Sequence, residues 1–396
     1  MLPTTADNGA RLAAILPSGI AAVARGTSTE LPEALRYADT EPLPALRSFV
    51  MIVVDGLGSA NLSARAGHAP SLARLPRKRI DTVAPSTTGA ALTTLLTGRL
   101  PGEHGLIGYR IRHPELGLVT TLRDWDGIED RRSWQRAAPL FTHATSIGAR
   151  AVAIGRPAHA VGGLTEAILT GAEYLGGQRI DDRFAIASRV VREPTPAIVY
   201  LYIDELDKAG HEHGWQSEQW VRRLEQFDAA LDGFLRSLPG NVGVAITADH
   251  GMVDVAPHQQ IMLEDRAELL EDVELIGGEP RLRSLYLRGG ANAVSVAEAW
   301  QEAEGSRAWV GTRDAAIAGG IFGAVRAEVV ERLGDVLIAA RKQVAYYTSA
   351  EDSRVLAMVG QHGSLTDEER GVPLALGGTL AGSSFAAAVQ AAARRN

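Results

Sequence analysis

Four short apolar runs recur along this chain of 396 residues: SFVMIVVD at 48–55, AVAIG at 151–155, AIVYLYID at 197–204 and VGVAITAD at 242–249. The first is apolar almost without a break, as a strand buried on both faces of a parallel sheet must be. Helix-like stretches lie between the runs. PLFTHATSIGA at 139–149 precedes the second run. SEQWVRRLEQFDAALDGFLRSL at 217–238 spaces Trp220, Leu224, Phe227, Leu231 and Leu235 as the apolar stripe of an amphipathic helix. Alternation of the two patterns predicts an α/β fold, a doubly wound and mostly parallel sheet with helices on both faces, as one domain over 1–396.

After about residue 265 the pattern changes. EDRAELLEDVELIGGEPRLRSLYLRGG mixes acidic residues, a Gly-Gly turn and a short alternating strand, and VAEAWQEAEG and GAVRAEVVERLGD follow it. A smaller mixed α/β insertion or cap is expected over about 265–345. The Ala-rich SSFAAAVQAAARRN reads as a terminal helix.

Bulk properties exclude several classes. A net charge of −7 and a pI near 5.9 give no global attraction to nucleic acid or to an anionic membrane. The basic run RLPRKR at 74–79 is expected to be a solvated loop. Absence of cysteine removes disulfides, thiolate metal sites and cysteine nucleophiles. No run reaches the ~18 apolar residues that a membrane span needs. RLAAILPSGIAAVARG at 11–26 faintly resembles a secretory core, but Asp7, Pro17 and Gly19 argue against it, and a cytoplasmic location is expected.

In open α/β sheets, ligands bind beyond the carboxyl ends of the strands. Asp55 follows the first run; Asp207, His211 and His213 follow the third; Asp249 and His250 follow the fourth; His362 comes late, before Gly363. Singly, each has a plainer reading: Asp-Gly is a turn, and Asp207 and His211 at i and i+4 could be a surface pair. Jointly, acids and imidazoles at successive strand ends are the donor set of a divalent-metal site, and two such sites need about six ligands. Gly251 is expected to let the backbone bend away after His250. A reacting group is on offer in APSTTGAALTTLLTGRLPGEHG at 84–105, where Thr87 or Thr88 would open a helix whose N-terminus favours an anion such as phosphate. A helix-capping threonine would look the same.

Taken in chain order, these motifs resemble the alkaline phosphatase superfamily, and within it the type I phosphodiesterase/nucleotide pyrophosphatase family. PSTTGAALTTLLTGRLPGEHG is similar to the family's nucleophile segment, YIDELDKAGHEHG to its Asp-x-x-x-His motif, TADHGM to its Asp-His-Gly-Met signature, and GQHG to its final His-Gly. The resemblance implies Thr88, not Thr87, as nucleophile. It implies one Zn²⁺ on Asp207, His211 and His362 and a second on Asp55, Asp249 and His250. It implies hydrolysis of a phosphodiester or nucleotide pyrophosphate through a phospho-threonine, on a small phosphate ester and not a nucleic-acid polymer or a membrane. One departure stands out: the family usually carries Asn after the first His-Gly, where this chain has Tyr109. Tyr109, Arg110 and the backbone N–H of Gly89 are the substitutes available to hold a phosphate oxygen.

Other readings use the same residues. Phosphomonoester or phosphonate hydrolysis needs only a different pocket around the same metals. A sulfatase needs a Cys/Ser-x-Pro-x-Arg motif, and the metal-dependent phosphoglycerate mutases need a serine in a different local sequence; both are absent. A metal- or nucleotide-binding protein without catalysis would have tolerated loss of a ligand, yet all seven matched positions are intact. Trp125 and the 265–345 stretch are open either to pocket lining or to packing.

Overall fold

The computed structural model of the chain describes residues 2–123 and 125–396. The strands that frame the site are β1 (Ser48–Val54), β2 (Arg77–Asp81), β3 (Arg150–Gly155), β4 (Glu173–Gly176), β5 (Ala197–Ile203), β6 (Val242–Thr247), β7 (Val273–Glu279), β8 (Leu282–Leu287), β9 (Ala308–Thr312), β10 (Val336–Ala340) and β11 (Gly371–Gly378). The helices are α1 (Ala10–Thr27), α2 (Thr88–Thr97), α3 (Gly163–Leu169), α4 (Ile180–Arg192), α5 (Glu205–His213), α6 (Glu218–Arg236), α7 (Ala293–Glu304) and α8 (Phe385–Ala393).

A seven-stranded sheet runs in the order β2-β11-β6-β1-β5-β3-β4. From β6 to β4 neighbouring strands are parallel, whereas β11 runs against both β6 and β2. Every residue of the central β1 is buried, which is why its sequence does not alternate. Register aligns Val54 with Ile203 and Val53 with Thr247, so the chain segments leaving β1, β5 and β6 emerge side by side. Helices flank the sheet. In one layer Phe385 of α8 packs on Phe49 of β1; in another, Phe184 of α4 meets Phe227 and Phe234 of α6. Trp220, Leu224, Phe227 and Leu231 of the stripe anticipated on α6 are core, Leu235 is half-buried against it, and Ser217 caps the helix by accepting from Trp220 N–H.

The stretch that faintly resembles a secretory core folds as α1, buried from Leu12 to Ala24 and packed on β1, α2 and α8. Two local expectations need correction. RLPRKR is no loop, because Arg77–Arg79 open the edge strand β2, whose exposed charges discourage pairing with another chain. PLFTHATSIGA makes two short 3₁₀ turns instead of a helix. There the Thr142 and Ser146 hydroxyls bond the carbonyls of Pro139 and His143, competing with a helical ladder. Among the described residues no helix is long and apolar enough to cross a membrane.

The 265–345 stretch builds a second, antiparallel sheet in the order β7-β8-β10-β9. Trp300 of α7 is buried with Leu285, Val310 and Ile338 in an apolar cluster of that sheet's own. Burying such side chains contributes roughly 1.5–3 kcal/mol each.

Candidate active site

The carboxyl ends of β1, β5 and β6 deliver the acids and imidazoles. Asp55 follows β1, Asp249 and His250 follow β6, and α5 starts directly after β5 with Asp207 and His211 one turn apart. A cluster of charges clamps the start of α5. Arg156 Nε lies 2.7 Å from both oxygens of Asp204, Arg156 Nη2 lies 2.9 Å from Glu205, and the fully buried Arg183 also pairs with Glu205. Burial opposes ionisation of Asp204, but Lys208 and Arg156 prevail and hold its carboxyl down at about 2. With α5 fixed in this way, Asp207 and His211 project from a rigid base.

Six of the sequence-derived residues converge as two triads. The ligating atoms of Asp207, His211 and His362 lie within 4.8 Å of one another, as do those of Asp55, Asp249 and His250. The triads abut, for the His250 and His362 rings stack with centroids 3.5 Å apart. Each imidazole is oriented from behind: Nδ1 of His211 lies 2.8 Å from Gly360 O, that of His362 lies 2.9 Å from Ser86 O, and that of His250 lies 3.2 Å from Gly251 O. A carbonyl can only accept, so Nδ1 carries the proton and Nε2 turns its lone pair into the site.

Burial sets the charge state of this cluster. Burial, foremost, pushes His250 down to about 3 and His362 well below its usual value, so both rings are neutral. Burial also raises Asp55, with Asp207 and Asp249 adding to the effect, and lifts Asp207 to about 6 against the pull of His211. Meanwhile Asp55 Oδ1, Asp207 Oδ1 and Asp249 Oδ2 are buried without a hydrogen-bond partner. Three orphaned carboxylate oxygens facing three imidazole lone pairs fit divalent cations and little else. His213, by contrast, belongs to neither triad.

Thr88 stands at the first turn of α2, its Oγ1 3.1 Å from His250 Nε2. Thr87 occupies the helix-cap position, yet its side chain makes no capping bond. Gly89 is buried behind Thr88, where an added Cβ would fall 2.4 Å from Thr121 Oγ1. Tyr109 lines the cavity over the triads, whereas Arg110 opens the strand Arg110–His113 and is not among the described lining residues. The His of PGEHG has a structural place instead. His104 is wholly buried, accepts from Leu106 N–H at Nδ1 and lies 3.0 Å from Thr94 Oγ1, tying down the end of α2.

A cavity of about 860 Å³ opens from Asp55, Thr88 and His362 toward α3. Trp125 is one of its walls and donates from Nε1 to Thr121 O. Gly251 does not serve as a bend. It is needed for close approach, since a Cβ there would lie 2.0 Å from Glu368 O.

Sequence reading missed three supporting residues. Tyr202 donates its hydroxyl to Asp55 Oδ2. Its strand position, two before Asp204 and on the same face as Tyr200, was the available signal. Asn61 clasps both backbone groups of Met252 and so holds the loop after His250. Glu279, at the tip of β7, lines the cavity from a distant part of the chain and left no local signal.

The sequence model of type I phosphodiesterases/nucleotide pyrophosphatases matches residues 49–365. The chain belongs to that family. Curated relatives include the venom phosphodiesterase CdcPDE of Crotalus durissus collilineatus, 24% identical over 257 residues. The human ectonucleotide pyrophosphatase/phosphodiesterase family member 1 is 22% identical over 250 residues. Each match covers 59% of this chain but only 30% and 27% of those relatives. Among solved structures, the murine ectonucleotide pyrophosphatase/phosphodiesterase 5, an inactive variant in complex with AMP, superposes with a TM-score of 0.66 at 17% identity, covering 84% of this chain and 88% of that one. Phosphonoacetate hydrolase from Sinorhizobium meliloti, in complex with phosphonoformate, superposes at 0.67 and 20% identity, covering 88% and 97%. These two likenesses establish the shared fold. The family is metal-dependent, in keeping with the two triads.

Proposed function

We propose that this chain is a binuclear zinc hydrolase of small phosphodiesters or nucleotide pyrophosphates, acting through Thr88. One observation carries the reading: a hydroxyl at a helix N-terminus stands 3.1 Å from His250, a member of one of two abutting Asp/His triads whose acids have orphaned oxygens. Asp207, His211 and His362 would hold one cation and Asp55, Asp249 and His250 the other, three donors each with room for a further ligand. Bound there, the cations supply positive charge that lowers the pKa of a neighbouring hydroxyl and offsets the charge of a phosphoryl group.

Thr88 Oγ1 attacks phosphorus in line with the leaving oxygen, its proton passing to solvent. The bond from phosphorus to the leaving oxygen breaks, leaving a phospho-threonine. Water then attacks that phosphorus, the bond to Thr88 Oγ1 breaks, and the threonine regains its proton. Backbone N–H groups at the start of α2, Gly89 among them, lack intrahelical partners and suit a non-bridging oxygen. Tyr109 stands on the cavity wall as a further donor. The cavity takes the leaving group, for which a nucleoside is one fit.

A second reading, phosphomonoester or phosphonate hydrolysis on the same triads, draws on Tyr109 replacing the usual Asn and on the likeness to phosphonoacetate hydrolase. Bis-p-nitrophenyl phosphate assayed against p-nitrophenyl phosphate and phosphonoacetate separates the two. Diester turnover, lost with chelator and in Thr88→Ala, is the expected result. Undiminished turnover in Thr88→Ala would sink the mechanism.

A further inference from the structure

Glu279 ends β7, remote from the nucleophile segment in sequence and beside it in space. Its side chain is 6% exposed and lines the same cavity as Thr88 and His362. Thr87 lies near enough to favour its ionised form, while Glu279 Oε1 has no partner. It belongs to neither triad. The nearby Arg283 does not neutralise it, being engaged 2.6 Å from Glu351 and 2.8 Å from Tyr346 O.

The fold holds this carboxyl in place from two sides. Next to it in the β7–β8 hairpin, Arg281 forms a wholly buried ion pair with Glu369, Nη2 to Oε2 at 2.6 Å and Nε to Oε1 at 3.0 Å. Glu369 in turn accepts from Ser364 N–H and Thr366 Oγ1, residues that follow His362. On the other side Gly363, at φ +123°, leaves room for the acid, for a Cβ there would lie 2.4 Å from Glu279 Cγ. A buried, anchored acid with an unpaired oxygen, on the wall of the cavity, is costly unless it has a use.

We propose that Glu279 touches the phosphoryl group bound beside Thr88 and selects against ligands that bring a second negative charge there, so that diesters are preferred over monoesters. The proposal rests on the phosphodiesterase reading above. A diester is a monoanion, whereas a phosphomonoester, with a second pKa near 6, is a dianion in mild alkali. A carboxylate in a water-poor pocket repels the extra charge more strongly than bulk water would allow. Discrimination by a repulsive group disfavours the wrong ligand without a new contact to the right one. Burial pushes Glu279 up to about 8, against the pull of Thr87 and Arg283, so at pH 9 the group is ionised.

The test compares Glu279→Gln with the unaltered enzyme at pH 9, measuring kcat/KM for bis-p-nitrophenyl phosphate and p-nitrophenyl phosphate, the thermal midpoint, bound metal, and inhibition by inorganic phosphate. The diester-to-monoester ratio is expected to fall about tenfold, the scale of one pKa unit, with inorganic phosphate inhibiting more tightly. An unmoved ratio overturns the proposal. So does an equal loss on both esters with a lowered midpoint, which marks a structural acid. Where the Gln variant does not fold, Glu279→Ala must move the ratio the same way; failure of both to fold also overturns it, by making the carboxyl a requirement of the fold. An unaltered enzyme with no turnover defeats the hydrolase reading itself, whereas turnover with a fixed ratio defeats only this proposal.

Discussion

The imidazoles of His250 and His362 stack with centroids 3.5 Å apart and planes 11° from parallel, although each belongs to a different triad. The two proposed metal positions therefore share a wall. His362→Ala is expected to weaken metal binding at both triads, since the His250 ring loses the surface it leans on. Equilibrium dialysis against Zn²⁺ checks this; a full-affinity site retained at Asp55, Asp249 and His250 would show the stacking to be idle.

Tyr202 donates to Asp55 Oδ2 and leaves Oδ1 facing the site. Tyr202→Phe removes that hydrogen bond and keeps the ring. Metal affinity is expected to drop roughly 10–100-fold, the usual consequence of losing a residue that orients a ligand. Metal titration followed by calorimetry reads the change without reference to turnover.

Metal-free protein should respond to pH in a defined direction. Burial holds Asp207 at about 6 in the fold against 3.8 for the ordinary group. A carboxyl whose pKa is raised by folding contributes stability at low pH, which is lost as pH climbs through the folded value. For this group the loss falls between about pH 4 and pH 6, and Asp55 and Asp249, also raised, act in the same sense. Thermal melts of the chelated protein should show a larger gain on adding Zn²⁺ at pH 8 than at pH 5. An equal gain at both would count against carboxylate ligation.

Arg281 and Glu369 are both fully buried, so removing one leaves the other charge stranded. Arg281→Met is expected to cost about 3–5 kcal/mol by urea denaturation. The double variant Arg281→Met, Glu369→Leu should recover much of that loss, because no lone charge remains. A single variant near neutral would mean that water reaches the hairpin.

Losing the proposed nucleophile has a different signature. In Thr88→Ala, diester turnover is expected to fall on the order of 10³-fold or more, as when a covalent nucleophile is removed. The thermal midpoint should stay close to that of the unaltered protein, because Thr87 and not Thr88 holds the cap position of α2 and the Thr88 hydroxyl turns to His250.

How far these sites could be read before folding depends on the range of the forces involved. The alternation of buried strands and amphipathic helices is local, so β1, β5, β6 and α6 lie close to where the apolar patterns put them. Asp55, Asp207, Asp249 and His250 were legible for the same reason, since each terminates a strand or opens the helix after one. PLFTHATSIGA failed because hydroxyl-to-carbonyl bonds won over a weak helical pattern. RLPRKR failed because pairing with β11, far away in the chain, makes a strand of residues that repel one another in isolation.

By itself, then, the amino-acid sequence determined the parallel sheet, the acids and imidazoles at its carboxyl end, and a threonine at a helix start, all from patterns within a few residues. Only the tertiary structure decided that six candidate ligands close into two abutting triads, that the Thr87 side chain leaves its cap position unbonded, and that Glu279 enters the cavity from the second sheet. Those outcomes rest on contacts across tens to hundreds of residues, where burial and charge are properties of the assembled fold and no short stretch of the chain carries them.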